Sequence, residues 1–400
     1  MRWLYKRVLM NANLWLLVAC QGLFFTNNVT FIAINGLVGL SLAPLGWMAT
    51  LPVMGYVVGG ALSTGLVART QKSLGRKMSF QIGLAVGGAS SLLCAWAAYS
   101  SNFWLLVAAT VVAGYYNANA QLYRFAAAEL AAPAAREKAV SLVMAGGLIG
   151  AIAGPNLAAA TKSLTTVPFA GAYFSLALVA VLGMLVLSFI EFPPAPPKTH
   201  AGGGRPLSEI ARQPTFIIAA GAGALSYGVM NLLMAATPLA MQTCGLPFSD
   251  AALVLQWHVI GMFAPGFFTG HLIKRLGTLN VMTIGLILNI ACVVVAVAGV
   301  ELRNFEIALF LLGVGWNFLF TASTALSLST YRPEERDKAQ GALNFCVFAV
   351  MAVSSFASGV LVTSQGWTWL NLGSLLPLGI TGAGLAWLAI NRRPPPTASA

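Results

Sequence analysis

The chain has 400 residues, 58% of them hydrophobic and only 8% charged, with a mean hydropathy of +0.80 and a formal net charge of +12. A soluble domain is about one quarter charged, so this composition excludes a soluble enzyme, a nucleic-acid-binding domain, a disordered chain and a secreted disulfide scaffold. The 5 cysteines include no CxxC pair and spell neither a disulfide framework nor a zinc site.

A membrane helix needs about 20 mostly apolar residues. Runs of that kind recur twelve times, at about 12–39, 44–68, 79–99, 103–128, 139–160, 167–191, 213–241, 248–272, 279–299, 304–329, 339–362 and 368–391. None alternates with the period of a barrel strand. The expected class is therefore an all-α integral membrane protein. The basic start, Met1-Arg2-Trp3-Leu4-Tyr5-Lys6-Arg7, resembles the head of a signal peptide, but the apolar stretch behind it is too long. It reads as a retained first span.

The charges set the expected topology. Of 22 Lys and Arg residues, all but three fall in the tails or in one alternate set of loops. The exceptions are Lys162 and Arg303 in opposite loops and Arg124 inside the fourth span. The positive-inside rule places both termini and the central linker in the cytoplasm. The basic balance thus needs no nucleic-acid partner; the surface partner is membrane lipid.

The two halves echo each other. Leu74-Gly75-Arg76-Lys77 before Ile82-Gly83-Leu84 is matched by Leu276-Gly277-Thr278-Leu279 before Ile284-Gly285-Leu286. Likewise Arg136-Glu137-Lys138-Ala139 is matched by Arg336-Asp337-Lys338-Ala339. Pro193, Pro194, Pro196 and Pro197, followed by Gly202-Gly203-Gly204, form a stiff-then-flexible connection. The expected division is an N-terminal six-helix half at 1–191, a cytoplasmic linker at 192–212 and a C-terminal six-helix half at 213–400.

Six plus six spans in parallel halves resemble the major facilitator superfamily fold, and the resemblance covers nearly the whole chain. It implies two inverted three-helix repeats in each half and a substrate site near the midplane between halves. Gly65 through Lys77 looks like the superfamily's loop 2–3 signature, with Arg69 near the place of its usual acidic residue. That substitution questions the charge relay through which the loop latches the outward-facing state. Gly150-Ala-Ile-Ala-Gly154-Pro155 resembles the start of the antiporter motif, but Ala158-Ala159 replace its trailing glycine pair.

Ionisable residues inside a membrane are costly and mark function. No Asp or Glu lies within a span interior, so the usual carboxylate proton carrier is missing. Arg124 sits near the inner end of span four. It either snorkels or pairs with Glu129, or else it faces an anion or a gate. His258 lies near the middle of span eight with Met262 at i+4 on the same face, and Met230 and Met234 repeat that spacing in span seven. Helical rise puts Met230 and His258 at similar depth. Thioethers with imidazole and no carboxylate favour Cu(I) over magnesium, calcium or zinc, although methionine is also a common filler of helix contacts.

The two motifs on consecutive spans, together with the fold, resemble the CcoA-like copper importers, a bacterial branch of the superfamily. The resemblance implies copper held by Met230, Met234, His258 and Met262, as transported substrate and not as a prosthetic group. It also implies uptake across the bacterial inner membrane for cytochrome oxidase assembly, with a periplasmic copper donor and a cytoplasmic chaperone as partners. Met241 and Cys244 offer a capture point near the outer end of span seven. Gln21, Asn28, Tyr116 and Asn119 are cavity candidates, alongside Asn27, Asn35, Tyr115, Asn117 and Gln121; such residues also glue helices together.

The expected mechanism is alternating access about a midplane site, with cation entry favoured by the membrane potential. The alternatives are import of riboflavin or another small organic molecule, for which the Tyr and Asn residues would be the contacts, and drug efflux. An intramembrane hydrolase would need a nucleophile with a His or acidic partner, and none is spelled near His258. No enzymatic activity is expected.

Overall fold

Lipid offers no partners for backbone N–H and C=O groups, so an apolar chain of this kind satisfies them within helices. The computed structural model describes residues 12–132, 136–192, 204–332 and 335–391, and every regular element among them is helical. In the first half these are α1 (Ala12–Leu42), α2 (Leu51–Tyr99), α3 (Phe103–Ala120), α4 (Tyr123–Leu130), α5 (Arg136–Ala145), α6 (Gly147–Thr161) and α7 (Ala170–Ser188). A short α8 (Leu207–Ala211) leads into the second half. There follow α9 (Pro214–Thr243), α10 (Phe248–Phe263), α11 (Gly266–Leu276), α12 (Thr278–Ala298), α13 (Leu302–Ser327), α14 (Arg336–Ser364) and α15 (Gly366–Asn391). The prolines of the central connection and the basic residues of both tails lie outside the described residues.

Among the described residues, 9 helical stretches are long and apolar enough to cross a membrane, and α10 with α11, bent by 43°, makes a tenth. One of the nine, Gly46–Tyr99, holds two of the expected spans joined at Gly75, whose φ of 79° and ψ of 168° break the helix. The remaining expected span is α3 with α4, which breaks at Gln121-Leu122 and carries Tyr115, Tyr116, Asn117 and Asn119 just before that break. Its polar content keeps it below the hydropathy of its neighbours. The twelve crossings are thus all present.

The repeat read from the sequence is also a backbone repeat. Gly277, the counterpart of Gly75, has φ 85° and ψ 154° and separates α11 from α12. Only glycine adopts this conformation without strain. Arg136 and Arg336 each open a helix. Large apolar side chains cover the outside, among them Leu178, Leu376 and Ile390. Such a surface belongs against lipid tails.

Inside each half, small residues let helices touch. A Cβ on Gly114 would stand 2.2 Å from the Gly60 nitrogen, so α2 and α3 meet backbone to backbone. A Cβ on Gly313 would stand 2.4 Å from the His258 carbonyl, joining α13 to α10 in the same way.

The halves meet most firmly at the end opposite the basic loops. There Thr50 donates from Oγ1 to the Ser355 carbonyl at 2.7 Å, and Asn156 donates to Gln256 Oε1 at 2.8 Å. Trp47 packs edge-on to Phe356, Phe169 packs on Phe248, and the Lys162 ammonium stands over the Phe248 ring. Nearer the middle, Phe25 meets Phe263 with centroids 4.6 Å apart. At the basic end, Leu62, Leu66, Phe267 and Phe345 are exposed. These contacts seal the end of the bundle opposite the basic loops.

Candidate functional site

Two groups of residues sit where the halves face each other or where their helices cross. The first is centred on Tyr227 of α9. Tyr227 lies edge-on to Trp316 and Phe320 of α13, at centroid distances of 5.2 and 5.3 Å. Those two rings stack on each other at 5.3 Å and 9°. The i, i+4 spacing of Trp316 and Phe320 is what stacks them. Across the junction, Tyr227 has Arg124 of α4 and Tyr56 of α2 as electrostatic neighbours. Asn28 of α1 donates to the Tyr56 hydroxyl at 3.1 Å, and Gln121 donates to Asn117 Oδ1 at 3.4 Å. One wall of the junction is therefore aromatic, and the other carries phenol, amide and guanidinium groups.

Arg124 does not pair with Glu129. Arg76 takes that carboxylate, through Nε and Nη2. The reason is geometric: Glu129 sits at the end of α4, facing the start of the helix after Gly75. Arg124, more than one turn earlier, points inward, where its guanidinium stands over the Phe125 ring at 5.0 Å. Its Nε is buried without a hydrogen-bond partner, as is Trp316 Nε1.

The second group is the methionine–histidine set. Met230, Met234, His258 and Met262 are all buried, the three methionines within one continuous apolar core. His258 Nδ1 lies 2.7 Å from the Leu309 carbonyl. A carbonyl only accepts, so Nδ1 carries the proton and Nε2 is left as a free electron pair. That Nε2 is buried with no partner. Thr269 donates to Asn317 Oδ1 and Asn317 donates to the Met262 carbonyl, pinning the bend between α10 and α11.

Helix α13 runs between the two motifs and sets their register. Tyr227 packs on Trp316 and Phe320, and a Cβ on Gly223 would meet Ser323, whereas His258 packs at Leu309 and Met262 at Gly313. Among the described residues no three His, Cys, Asp or Glu gather, so a metal here would rest on thioethers and one imidazole.

Met241 and Cys244 part company: Met241 is buried in the core and Cys244, the C-cap of α9, is exposed. Of the cavity candidates, Asn28 faces the junction. Tyr116 instead packs against Phe24 and Gly87, and Asn119 accepts from Ser79 and lies against Gly83. Both therefore serve the α2–α3 contact. Gln21 reaches Met144 on α5 at 4.0 Å, and Asn35 is held by the Tyr173 hydroxyl. The sequence reading missed Tyr56, Tyr227, Trp316 and Phe320. Aromatic residues in apolar spans carry no pattern that separates a lipid-facing ring from a junction-facing one.

The chain matches the Major Facilitator Superfamily over residues 14–297 and 219–400. It is 38% identical over 364 residues to the riboflavin transporter RfnT of Brucella anthropi, covering 90% of this chain and 91% of that one. It is 28% identical over 393 residues to the uncharacterised MFS-type transporter YdeG of Bacillus subtilis, covering 94% and 90%. A crystal structure of the human organic anion transporter MFSD10 (TETRAN) shares the fold, with a TM-score of 0.65 at 15% identity over 94% of this chain and 99% of that one.

Proposed function

The chain belongs to the Major Facilitator Superfamily and is a secondary transporter, not an enzyme; from that premise we propose that its cargo is a riboflavin-like planar heteroaromatic molecule. The observation that carries this reading is the two-sided junction. Tyr227, Trp316 and Phe320 offer flat apolar area on one half, while Asn28–Tyr56, Asn117–Gln121 and Arg124 offer hydrogen bonds on the other. Ligand sites are mostly apolar with a few placed polar groups that fix orientation. A fused ring with a polar edge suits that division, and the 38% identical riboflavin transporter supports the same class.

With the basic loops in the cytoplasm, the Thr50–Ser355 end lies on the outer side and holds the two halves together there. Alternating access then consists of breaking the outer contacts while the inner ends come together. Import across a bacterial inner membrane is the direction this reading adopts. The test is uptake of labelled riboflavin by cells that cannot make it and lack their own importer. Uptake should appear with this chain and fall steeply in Trp316→Ala with Phe320→Ala, at matched membrane abundance. No uptake above empty cells would sink the reading.

A second reading, Cu(I) transport, is favoured by one observation: the free, buried Nε2 of His258 beside a thioether-rich core. A hydrogen bond that fixes the tautomer of a histidine is how metal-binding imidazoles are commonly oriented. Copper uptake under reducing conditions that disappears in His258→Ala, with riboflavin uptake absent from the wild type, would replace the first reading by this one.

A further inference from the structure

The junction is rich in donors that have nothing to donate to. Arg124 Nε and Trp316 Nε1 are both buried without an acceptor, and both belong to residues around Tyr227. Indole and guanidinium are donors only, so no rotation or proton shift within the protein relieves them. Glu129 is occupied by Arg76, and Glu335, before the eleventh span, is occupied by Arg205. Among the described residues Arg124 therefore has no carboxylate partner, and its guanidinium stands over the Phe125 ring. Leaving two buried N–H donors unsatisfied is costly. Such a cost persists where binding removes it.

We propose that Arg124 is the residue that orients the cargo, by donating to an edge that carries hydrogen-bond-accepting oxygens or nitrogens, with Trp316 Nε1 as a second donor to the same molecule. This rests on the reading of the cargo as a flavin-like ring. For such a ring the acceptor-bearing edge is the dioxopyrimidine, and the hydrocarbon edge has nothing to offer a guanidinium. The planar fork of arginine suits two acceptors on one flat edge, which the point charge of lysine does not. Selection follows the same logic: a site whose buried donors need acceptors rejects a tricycle of equal size that lacks them.

The test uses the full-length protein in lipid nanodiscs and two probes read by fluorescence quenching. One is riboflavin; the other is anthracene, a flat tricycle with no hydrogen-bond acceptor. The variants are Arg124→Gln and Arg124→Lys. In Arg124→Gln, riboflavin affinity should fall about tenfold or more, the usual size for loss of a charged hydrogen bond, while anthracene affinity stays within about twofold. Arg124→Lys should recover only part of the loss. A smaller loss in Arg124→Gln overturns the proposal. So does an equal loss for both probes, because Arg124 would then support the shape of the site and not the recognition of an edge. If the wild type binds no riboflavin at all, the cargo reading itself falls and takes this inference with it; that outcome is seen before any variant is made.

Discussion

Glu129 at the end of α4 is held by Arg76, from the helix that follows Gly75, through a two-pronged guanidinium–carboxylate contact. The pair ties the end of the fourth span to the loop between the second and third, and it leaves Arg124 without a carboxylate partner among the described residues. Both side chains are partly exposed, so the contact is worth about 1 kcal/mol or less. Arg76→Glu and Glu129→Arg should each lower the thermal midpoint of the detergent-solubilised protein slightly, and the double reversal should restore it. A double variant no better than the singles would show that the pair does not hold this end together.

Glu335 anchors the basic-loop end of the second half. Its fully enclosed carboxylate accepts from Arg205 Nε and Nη2, and from the backbone N–H groups of Arg205 and Arg332. The Arg205 hydrogen bond, helped by those N–H groups, holds its carboxyl well below the ordinary value of 4.5. A depressed carboxylate contributes stability that is complete above its unfolded value and is lost as pH falls toward the folded one. Glu335→Gln should therefore lower the thermal midpoint by a constant margin from about pH 6 to 8. That margin should narrow only below 4.5. A margin that changes between pH 6 and 8 would point to a different group.

Helix contact through glycine can be tested by contrast. A side chain at Gly114 has the Gly60 nitrogen 2.2 Å away, whereas nothing lies within 4 Å of a Cβ on Gly65. Gly114→Val should cost about 1–3 kcal/mol or more by forcing α2 and α3 apart, seen as loss of folded protein in membranes. Gly65→Ala should be neutral or stabilising by about 0.5–1 kcal/mol. Equal behaviour of the two would refute the close approach.

The sealed end offers a mechanical check. A Cβ on Gly359 would stand 3.1 Å from Thr50 Cβ, somewhat nearer than the ~3.8 Å of a disulfide. With native cysteines replaced, Thr50→Cys with Gly359→Cys should form a cross-link that arrests uptake, and a reductant should restore it. Unimpaired uptake by the cross-linked protein would mean that this end does not open during transport.

Membrane residence, the twelve crossings, the inner placement of basic loops as an expectation and the internal repeat were all legible in the residue order. Each depends on a local quantity: apolar run length, charge position, or a glycine where the chain must turn with positive φ, as at Gly75 and Gly277. The His258–Met262 and Met230–Met234 pairs were legible for the same reason, since i and i+4 share a helix face. What stands opposite a face depends on how helices slide and rotate against one another. Only the course of α4 decides that Glu129 turns to Arg76 while the Arg124 guanidinium stands over Phe125. Tyr227, Trp316 and Phe320 look like any aromatic residues in an apolar span until the two halves come together. Lipid and protein core are alike apolar, so composition cannot mark which face of a membrane helix meets a ligand. Tertiary packing does so, by leaving a few polar atoms such as Arg124 Nε and Trp316 Nε1 without partners.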